Sequence, residues 1–245
     1  MKNIKDISII FPIYNEEKRI SFTIKYIKNF LKKKKFKKIE IILVNDGSTD
    51  NTNLIIKKII DFNLYKNIKY IILTKNTGKG YALKKGVMIA KNNWILTSDA
   101  DLSVKLNDIK NFDKCITKNK KIIYFGSRNL SSSIVVFNIF RKIIGFFFLK
   151  IIQFFLKIQI KDTQCGFKLY NKRIAKDIFK IMKSKRFIHD VEIALICRKL
   201  KINILEVPVK WTHKAHGSLN IFTDTLLMLI GIFRLKNQYK NMLLN

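Results

Sequence analysis

Two aspartates separated by one residue, Asp99 and Asp101, are the side chains whose type and spacing point most directly to chemistry. They come shortly after an apolar run, residues 94–96, which is typical of a buried strand. Alternate residues of an extended chain point the same way, so both carboxylates can face one pocket. A hard divalent cation held by oxygen ligands and substrate phosphates would relieve their mutual repulsion. Two solvated loop aspartates are the alternative, and the surrounding elements decide between the two.

The elements that position this pair alternate between strands and helices. Continuous apolar strands separated by helices predict an α/β fold, with a mostly parallel central sheet and helices on both faces. Strands are predicted at residues 6–12, 39–44, 68–73, 94–96, 122–125 and 204–209, with a short strand near Tyr170. Helices are predicted over residues 17–35, 107–118, 172–183, 190–201 and 221–235, and from the turns after 50 and 80 to about 62 and 90.

Polar loops follow four consecutive predicted strands, at residues 14–16, 45–47, 76–78 and 99–101. The carboxyl ends of parallel strands meet at one rim of a sheet, which is where ligands bind in open α/β folds. This convergence favours a functional site over two solvated aspartates. The rim also carries cations, and a metal–diphosphate ligand suits it, with positive charge remaining for a second phosphate.

The formal net charge of +32 indicates an anionic partner: nucleic acid, an anionic membrane or a phosphorylated substrate. Lysine is abundant throughout, so charge alone does not identify the partner. Cys115, Cys165 and Cys197 are widely spaced and predict neither a disulfide framework nor a zinc site. We expect no signal peptide, and no apolar run approaches the roughly 18 residues of a spanning helix.

Residues 134–158 are rich in phenylalanine and isoleucine, and their polar residues recur at intervals near three or four. In a helix these polar residues fall on one stripe, opposite a broad aromatic and aliphatic arc. Such a helix is either part of the core or lies in a membrane surface, with its lysines reaching anionic headgroups. We favour the amphipathic membrane-surface helix.

The sequence resembles the family 2 glycosyltransferases in four successive blocks. They read IFPIYNE at 10–16, VNDGSTD at 44–50, NTGKGYAL at 76–83 and TSDADLS at 97–103. The resemblance implies the GT-A (nucleotide-diphospho-sugar transferase) fold in a single domain spanning 1–245. Within it, residues 1–103 would form the nucleotide-binding half and residues 104–245 the acceptor half.

The second half resembles a narrower branch, the dolichyl-phosphate β-glucosyltransferases and polyprenyl-phosphate glycosyltransferases. The similar blocks are GSR, DTQCGFKLY, HDVE and EVPVKW, at residues 126–128, 162–170, 189–192 and 206–211. This implies an inverting transfer of glucose from UDP-glucose to a dolichyl or polyprenyl phosphate. The implied place is the cytoplasmic face of a membrane, with peripheral attachment. GDP-mannose as donor, or another lipid or glycan acceptor, remains an alternative, and a nucleic-acid-binding protein is a remote one.

The resemblance also implies site residues. Asp101 would ligate Mg2+ or Mn2+ together with the diphosphate, while Asp99 orients the sugar nucleotide. The implied nucleotide-sugar-binding residues are Pro12, Tyr14, Glu16, Asp46, Gly78, Lys79, Asp99 and Gln164.

On the acceptor side, Arg128 and Arg141 match the arginines that hold the acceptor's phosphate. Asp190 and Glu192 are implied to line that side, although an acidic helix start stabilised by the helix dipole is the alternative. The implied catalytic residues are Asp99, Asp101, Arg128 and Asp190.

Two positions depart from the family's pattern. Leu219 stands where the family commonly has a lysine or arginine that helps to neutralise the diphosphate. His216, Lys214 and Lys210 are the candidates to replace it. Ser103 stands where mannose synthases usually have glutamine, which favours the glucosyl branch.

Overall fold

A central sheet is the core element of the protein, whose computed structural model describes residues 1–33, 35–61, 64–117, 119, 121–136, 149–212 and 221–240. The strands in chain order are β1 Asp6–Ile13, β2 Lys38–Asn45, β3 Ile68–Ile72, β4 Trp94–Thr97, β5 Ile122–Ser127, β6 Ile134–Val136, β7 Lys168–Asn171, β8 Asn203–Pro208 and β9 Lys210–Thr212. Seven of them form one sheet in the order β3-β2-β1-β4-β7-β5-β8, while β6 and β9 form a separate pair.

The sheet is mostly parallel, which confirms the prediction. Strands β1 to β4 pair in parallel, as do β5 and β8, whereas β7 runs antiparallel between β4 and β5. In this register Lys168 lies opposite both Thr97 and Phe125. The reversed direction of β7 therefore brings its first residue, and the turn before it, to the edge where β4 and β5 end.

Helices cover both faces, also as predicted. They are α1 Ile20–Lys32, α2 Thr52–Ile59, α3 Lys79–Ile89, α4 Ile109–Cys115, α5 at 149–156, α6 Lys172–Ile181, α7 His189–Lys199 and α8 Ile221–Gln238. Buried residues of α3, α5, α6, α7 and α8 form one core with Ile10 of β1, and those of α1, α2 and α4 form a second core with Ile9 and Phe11. Successive β1 side chains point to opposite faces, which explains why this strand is apolar at nearly every position.

Strand β1 continues one residue past Pro12, although the sequence predicted that this proline would end the pairing. The main chain of Ile10 faces β4, because its carbonyl oxygen accepts from Ser98 N at 3.0 Å. Pro12, two residues on, faces the same side beyond the end of β4 at Thr97. Its missing N–H therefore removes no sheet hydrogen bond, while Asp46 N still donates to Ile13 O on the β2 side at 2.8 Å.

The helix predicted over residues 134–158 is wrong at its start, because residues 134–136 form β6. These residues pair in parallel with β9, which includes Trp211, beyond the end of the strand predicted at 204–209. Three consecutive β-branched residues favour a strand here, since a partner strand is available. Residues 137–148, the middle of the predicted helix, lie outside the described residues. Residues 149–156 are helical, as predicted.

The helix α5 contributes to the core and to the surface at once. Ile152 and Leu156 are at most 1% exposed, whereas Phe154 is 79% exposed. The question of core or membrane surface therefore has no single answer for this segment. Within the described residues, no helix is both long enough and apolar enough to cross a membrane.

Candidate active site

A cleft lies at the carboxyl edge of β1, β2 and β4, where the sequence predicted the polar loops to converge. Four elements supply its walls: the segment after β1, the end of β2, the start of α3 and the loop after β4. The segment before α7 also contributes. The lining residues are Pro12, Ile13, Tyr14, Glu16, Arg19, Asp46, Asn76, Gly78, Lys79, Asp99, Ala100, Asp101, Arg186 and Phe187.

Two carboxylates and one ammonium meet in this cleft. The Nζ atom of Lys79 lies 2.6 Å from Oδ1 of Asp99. Burial lowers the pKa of Lys79, but the carboxylates of Asp99, Asp190 and Asp101 outweigh burial and hold that pKa above its ordinary value. Lys79 is thus firmly cationic at neutral pH, at the N-terminus of α3, where the helix dipole also favours anions.

The surroundings of Asp101 disfavour the charged form of its carboxyl group. Burial and then the charge of Asp99 raise its pKa, although the amide of Ser103, which donates to Oδ1 at 2.8 Å, acts in the opposite direction. The residue between them is fixed because Thr23 Oγ1 donates to Ala100 O at 2.6 Å. Leu102 then adopts a φ of 54°, so the chain turns sharply after the pair. The loop therefore holds two carboxylates close together at an energetic cost.

Gly166 sets the position of Asp99. A Cβ atom at Gly166 would lie 2.5 Å from both carboxylate oxygens of Asp99, a distance that no side chain tolerates. Thr97 Oγ1 donates to Gly166 O at 2.9 Å, which joins this turn to the end of β4. The glycine belongs to the block at residues 162–170, but the sequence alone did not connect it with the aspartates.

Glu16 and Arg19 form one wall of the cleft. The guanidinium of Arg19 donates to both carboxylate oxygens of Glu16 at 2.7 Å. Burial raises the pKa of Glu16 and outweighs Arg19, and the nearby charges of Asp101 and Asp99 add to the rise. Tyr14 and Pro12 line the same wall, as the predicted nucleoside pocket requires. Arg19 was not predicted, because it lies three residues beyond the recognisable block at 10–16.

Asp46 lines the cleft, and both of its carboxylate oxygens accept hydrogen bonds from the main chain. Its two oxygens accept from the amides of Thr77 and Gly78, at 2.9 and 2.7 Å. Burial raises its pKa and outweighs these two bonds. Gly78 has a φ of 113°, and a Cβ there would lie 2.5 Å from Lys185 O. Asp46 and Gly78 therefore hold the start of α3, and with it Lys79, at the cleft.

Arg128 and Gln164 lie in a small recess that also contains Asp99. Arg128 donates to both oxygens of Asp162, from Nε at 2.7 Å and from Nη2 at 2.9 Å, and its guanidinium lies 5.7 Å from the ring centre of Trp211. Burial lowers the pKa of Arg128, and Asp162 more than offsets this. Within the described part of the chain, side-chain hydrogen bonds of Arg128 use two of its five guanidinium N–H groups, both at Asp162, which leaves three for a ligand in the recess.

Asp190 and Glu192 are buried and do not line the cleft. Asp190 forms an ion pair with Lys168. Glu192 accepts from the amides of Lys183 and Ser184, and from the Tyr239 hydroxyl at 3.0 Å. Glu192 therefore fastens the segment before α7, and the end of α8, to α7.

The segment before α7 supplies two lining residues that the sequence did not single out, Arg186 and Phe187. It lies against the start of α3, because Tyr81 N donates to Lys185 O at 3.1 Å. Arg186 is one of 49 lysines and arginines, so its type alone gave no signal. Its place three residues before the start of the HDVE block was the available clue.

Two carboxylates fit a divalent cation only if other oxygens complete its shell. Within the described residues, no group of three or more His, Cys, Asp and Glu side chains could hold a metal. The donor set of Asp99 and Asp101 leaves room for diphosphate oxygens and water, which suits Mg2+ or Mn2+. The raised pKa of Asp101 agrees with this, since a cation would stabilise the carboxylate.

Several predicted residues cannot be assigned a position. Arg141 lies outside the described residues, as do His216, Lys214 and Leu219. Lys210, the third candidate to replace the missing family cation, lies in β9 with its amide donating to Asp108 Oδ2 at 2.7 Å. It is not among the residues that line the cleft or the recess.

Comparison with known proteins gives concordant matches. The model of the family "Glycosyl transferase family 2" matches residues 8–179. A dolichyl-phosphate β-glucosyltransferase of Dictyostelium discoideum is 34% identical over 243 residues, covering 95% of this chain and 74% of the relative. The human dolichyl-phosphate β-glucosyltransferase is 32% identical over 235 residues, covering 91% of this chain and 72% of the relative.

Solved structures share the fold at low identity. The glucosyl-3-phosphoglycerate synthase of Mycobacterium tuberculosis, in complex with Mn2+, UDP-glucose and phosphoglyceric acid, has a TM-score of 0.65 at 14% identity, covering 94% of this chain and 79% of its own. A mannosyltransferase of Pyrobaculum calidifontis, in complex with GDP-mannose and Mn2+, has a TM-score of 0.60 at 14% identity, covering 87% and 59%. The predicted GT-A fold is therefore confirmed.

Proposed function

Since the chain belongs to glycosyltransferase family 2, we propose that it transfers glucose from UDP-glucose to a dolichyl or polyprenyl phosphate, with inversion at the anomeric carbon. The observation that carries this proposal is the meeting of Asp99, Asp101 and Lys79 at the carboxyl edge of the sheet. The names of the relatives support the acceptor and the sugar.

The donor's diphosphate is the group that this cleft suits best. The Lys79 ammonium and the N-terminus of α3 both favour an anion, and Asp99 holds Lys79 in place. Charge develops on the leaving diphosphate in the transition state, so a preorganised cation lowers the barrier. Pro12, Tyr14 and Glu16 would bind the nucleoside on the adjacent wall, with Asp46 and Gly78 holding the start of α3.

A divalent cation, when bound by Asp101 with Asp99 nearby, would neutralise further charge on the leaving diphosphate. Mg2+ and Mn2+ both suit these oxygen ligands, and the Mn2+ bound in the fold neighbours supports the proposal.

The recess beside Asp99 suits the reacting end of the acceptor. A lipid monophosphate is already anionic at neutral pH, because its second pKa is near 6, so it needs no strong general base. It needs positive charge, which the remaining N–H groups of Arg128 would supply in bidentate geometry. Gln164, at the same recess, would contact the donor sugar. Arg141 keeps its proposed part in acceptor binding on the resemblance alone.

A membrane surface is the proposed place of the reaction, since the acceptor is a lipid. The helices α5 and α8 pack together, with the rings of Phe155 and Phe233 5.3 Å apart. Their outer sides expose Phe154, Leu227 and Ile230, which we name the α5–α8 patch; these side chains are 79, 55 and 43% exposed. Lys236 lies beside it, 5.0 Å from the ring centre of Phe155. Apolar side chains next to cations suit peripheral attachment to the cytoplasmic leaflet.

The donor is tested by offering labelled UDP-glucose and GDP-mannose in parallel with dolichyl phosphate. We expect label in the lipid fraction from UDP-glucose, and none once EDTA is added. Label from GDP-mannose alone would keep the mechanism but overturn the sugar, and with it the interpretation of Ser103. Transfer that EDTA leaves unchanged would overturn the role of the cation.

A further inference from the structure

Lys168, at the start of β7, has no part in the mechanism above, yet it is a fully buried charge. Its side chain is 1% exposed. The ammonium donates to Asp190 Oδ1 and, at 2.7 Å, to Cys165 O, and it lies 4.7 Å from the ring centre of Phe125. Burying an ammonium costs several kcal/mol before compensation. The contacts around Lys168 should therefore explain why an ammonium group is buried there.

The two hydrogen-bond partners of Lys168 lie behind two different residues of the cleft, Asp99 and Lys79. Cys165 precedes Gly166, whose Cα lies against the carboxylate of Asp99. Asp190 lies in the first turn of α7, which packs on the first turn of α3: a Cβ atom on Gly80 would lie 2.7 Å from His189 Cβ. Lys168 therefore joins the turn behind Asp99 to the helix behind Lys79.

We propose that Lys168 is a positioning residue for the diphosphate site: with Asp190, it holds the Lys79 ammonium and the Asp99 carboxylate in register. The proposal rests on the proposed function, since it takes Lys79 to bind the donor's diphosphate. It also revises the role of Asp190, which the resemblance implied to be catalytic. Asp190 acts through Lys79 rather than on the acceptor.

The charges around Lys79 agree with this assignment. The anions that face it are Asp99, Asp190 and Asp101. Burial raises the pKa of Asp190, but His189, Lys168 and Lys79 together lower it to about 2. Burial lowers the pKa of His189, so this neighbour is neutral at pH 7. Asp190 thus stays an anion throughout the neutral range and cannot take up the acceptor's proton.

A double-mutant cycle on nucleotide binding tests the proposal. The variants are Lys79→Met, Lys168→Met and the two combined, and calorimetry gives their Kd values for UDP and for uridine in the presence of Mn2+. We expect each single variant to weaken UDP binding about tenfold while uridine binding is unchanged, because only UDP carries the diphosphate. We expect the combined variant to lose no more than Lys79→Met, since coupled residues are not additive.

A second variant protects the test against misfolding, because Lys168→Met leaves Asp190 buried without its partner. In Lys168→Met/Asp190→Asn both charges are removed, and the same tenfold loss for UDP is expected with wild-type melting. The matched control is Lys69→Met. It removes a lysine from another ion pair, Lys69 Nζ to Glu40 Oε1 at 2.5 Å, in which the Lys69 side chain is 35% exposed. Neither residue lines the cleft. UDP binding is expected to be unchanged in that control.

The outcomes separate this inference from the proposed function. Two results would overturn the positioning role alone. One is a loss of UDP affinity in the combined variant that equals the product of the two single losses. The other is wild-type UDP affinity in both Lys168 variants. A wild-type protein that binds neither UDP nor GDP would overturn the nucleotide-sugar function, and this inference with it.

Discussion

Asp101 is the residue that we propose as the metal ligand in the cleft. Burial and the neighbouring Asp99 both raise its pKa, so the folded protein disfavours the charged form of this carboxyl group. A carboxyl group whose pKa is higher in the folded than in the unfolded state stabilises the folded protein at low pH. This stabilisation is lost as pH rises through the folded-state pKa. A cation bound to the carboxylate offsets the loss, so metal binding and protonation compete at this residue.

The first prediction follows from that competition. Mn2+ should raise the melting temperature of the protein at pH 7, and the increase should shrink as pH falls through the raised pKa of Asp101. Asp101→Asn should abolish the increase at every pH. The control is Asp113→Asn, because Asp113 accepts from the amides of Lys2, Asn3 and Ile4 and does not line the cleft. A full Mn2+ effect in Asp101→Asn would contradict the assignment.

The second prediction concerns Gly166, which lies against the carboxylate of Asp99. The methyl group introduced by Gly166→Ala would lie 2.5 Å from the Asp99 oxygens, so the carboxylate must move. A displacement near 1 Å costs roughly 10²-fold in rate when catalytic groups are precisely placed. We expect the transfer rate to fall by about that factor while the far-ultraviolet circular dichroism stays unchanged. A wild-type rate would show that Asp99 needs no fixed position.

Single residues also show where sequence reasoning reached its limit. Asp99 and Asp101 were predicted as site residues because strand ends converge in a parallel sheet, which is a rule of topology, whereas Lys79 was implied by the resemblance to family 2. Gly166 and Arg186 were not predicted, because their contacts depend on the antiparallel β7 and on the packing of α7 against α3. Neither arrangement leaves a mark in local periodicity.

Among the elements, β6 and α5 show how local pattern and tertiary context compete. The apolar arc of residues 134–158 is compatible with one long helix, but residues 134–136 pair with β9 instead. A strand partner 76 residues further along the chain decides the outcome, and no short window of sequence includes it. For strands β1 to β4, by contrast, the alternation of continuous apolar strands with helices is visible in the local sequence, and the prediction was confirmed.

The α5–α8 patch gives a prediction about membrane attachment. Phe154→Ser with Ile230→Ser should reduce flotation of the protein with anionic liposomes and leave its melting temperature unchanged, because both side chains are exposed. The matched control is Ile152→Ser, two residues from Phe154 on α5. Ile152 is 1% exposed, so its replacement should lower the free energy of unfolding by about 2–5 kcal/mol. Unchanged flotation of the double variant would exclude this surface as the attachment site.

At the scale of the whole molecule, the net charge of +32 sets the long-range field. Such a field attracts anionic membranes and anionic nucleotides alike, and it acts over the Debye length, about 10 Å at 0.1 M salt. The charge does not select the partner, which is why composition alone could not exclude nucleic acid. Selection comes from the cleft and from the α5–α8 patch.

This field gives a prediction for membrane attachment. Binding to vesicles that contain anionic lipid should weaken markedly between 50 mM and 500 mM salt, since the Debye length shortens from about 10 Å at 0.1 M towards about 3 Å at 1 M. Vesicles of neutral lipid should bind less at every salt concentration, through the apolar side chains alone. Equal binding to neutral and anionic vesicles would show that the basic surface contributes nothing to attachment.

The most direct test of the central claim is the rate of glucose transfer from labelled UDP-glucose to dolichyl phosphate, measured for the wild type and for Asp101→Asn. The account predicts a labelled lipid product from the wild type, with the sugar in the inverted β configuration. It predicts a rate at least a hundredfold lower for the folded variant, as removal of an electrostatic group in an active site usually costs about 10²–10³-fold. Equal rates for the two proteins would contradict it, because Asp101 would then have no part in the reaction.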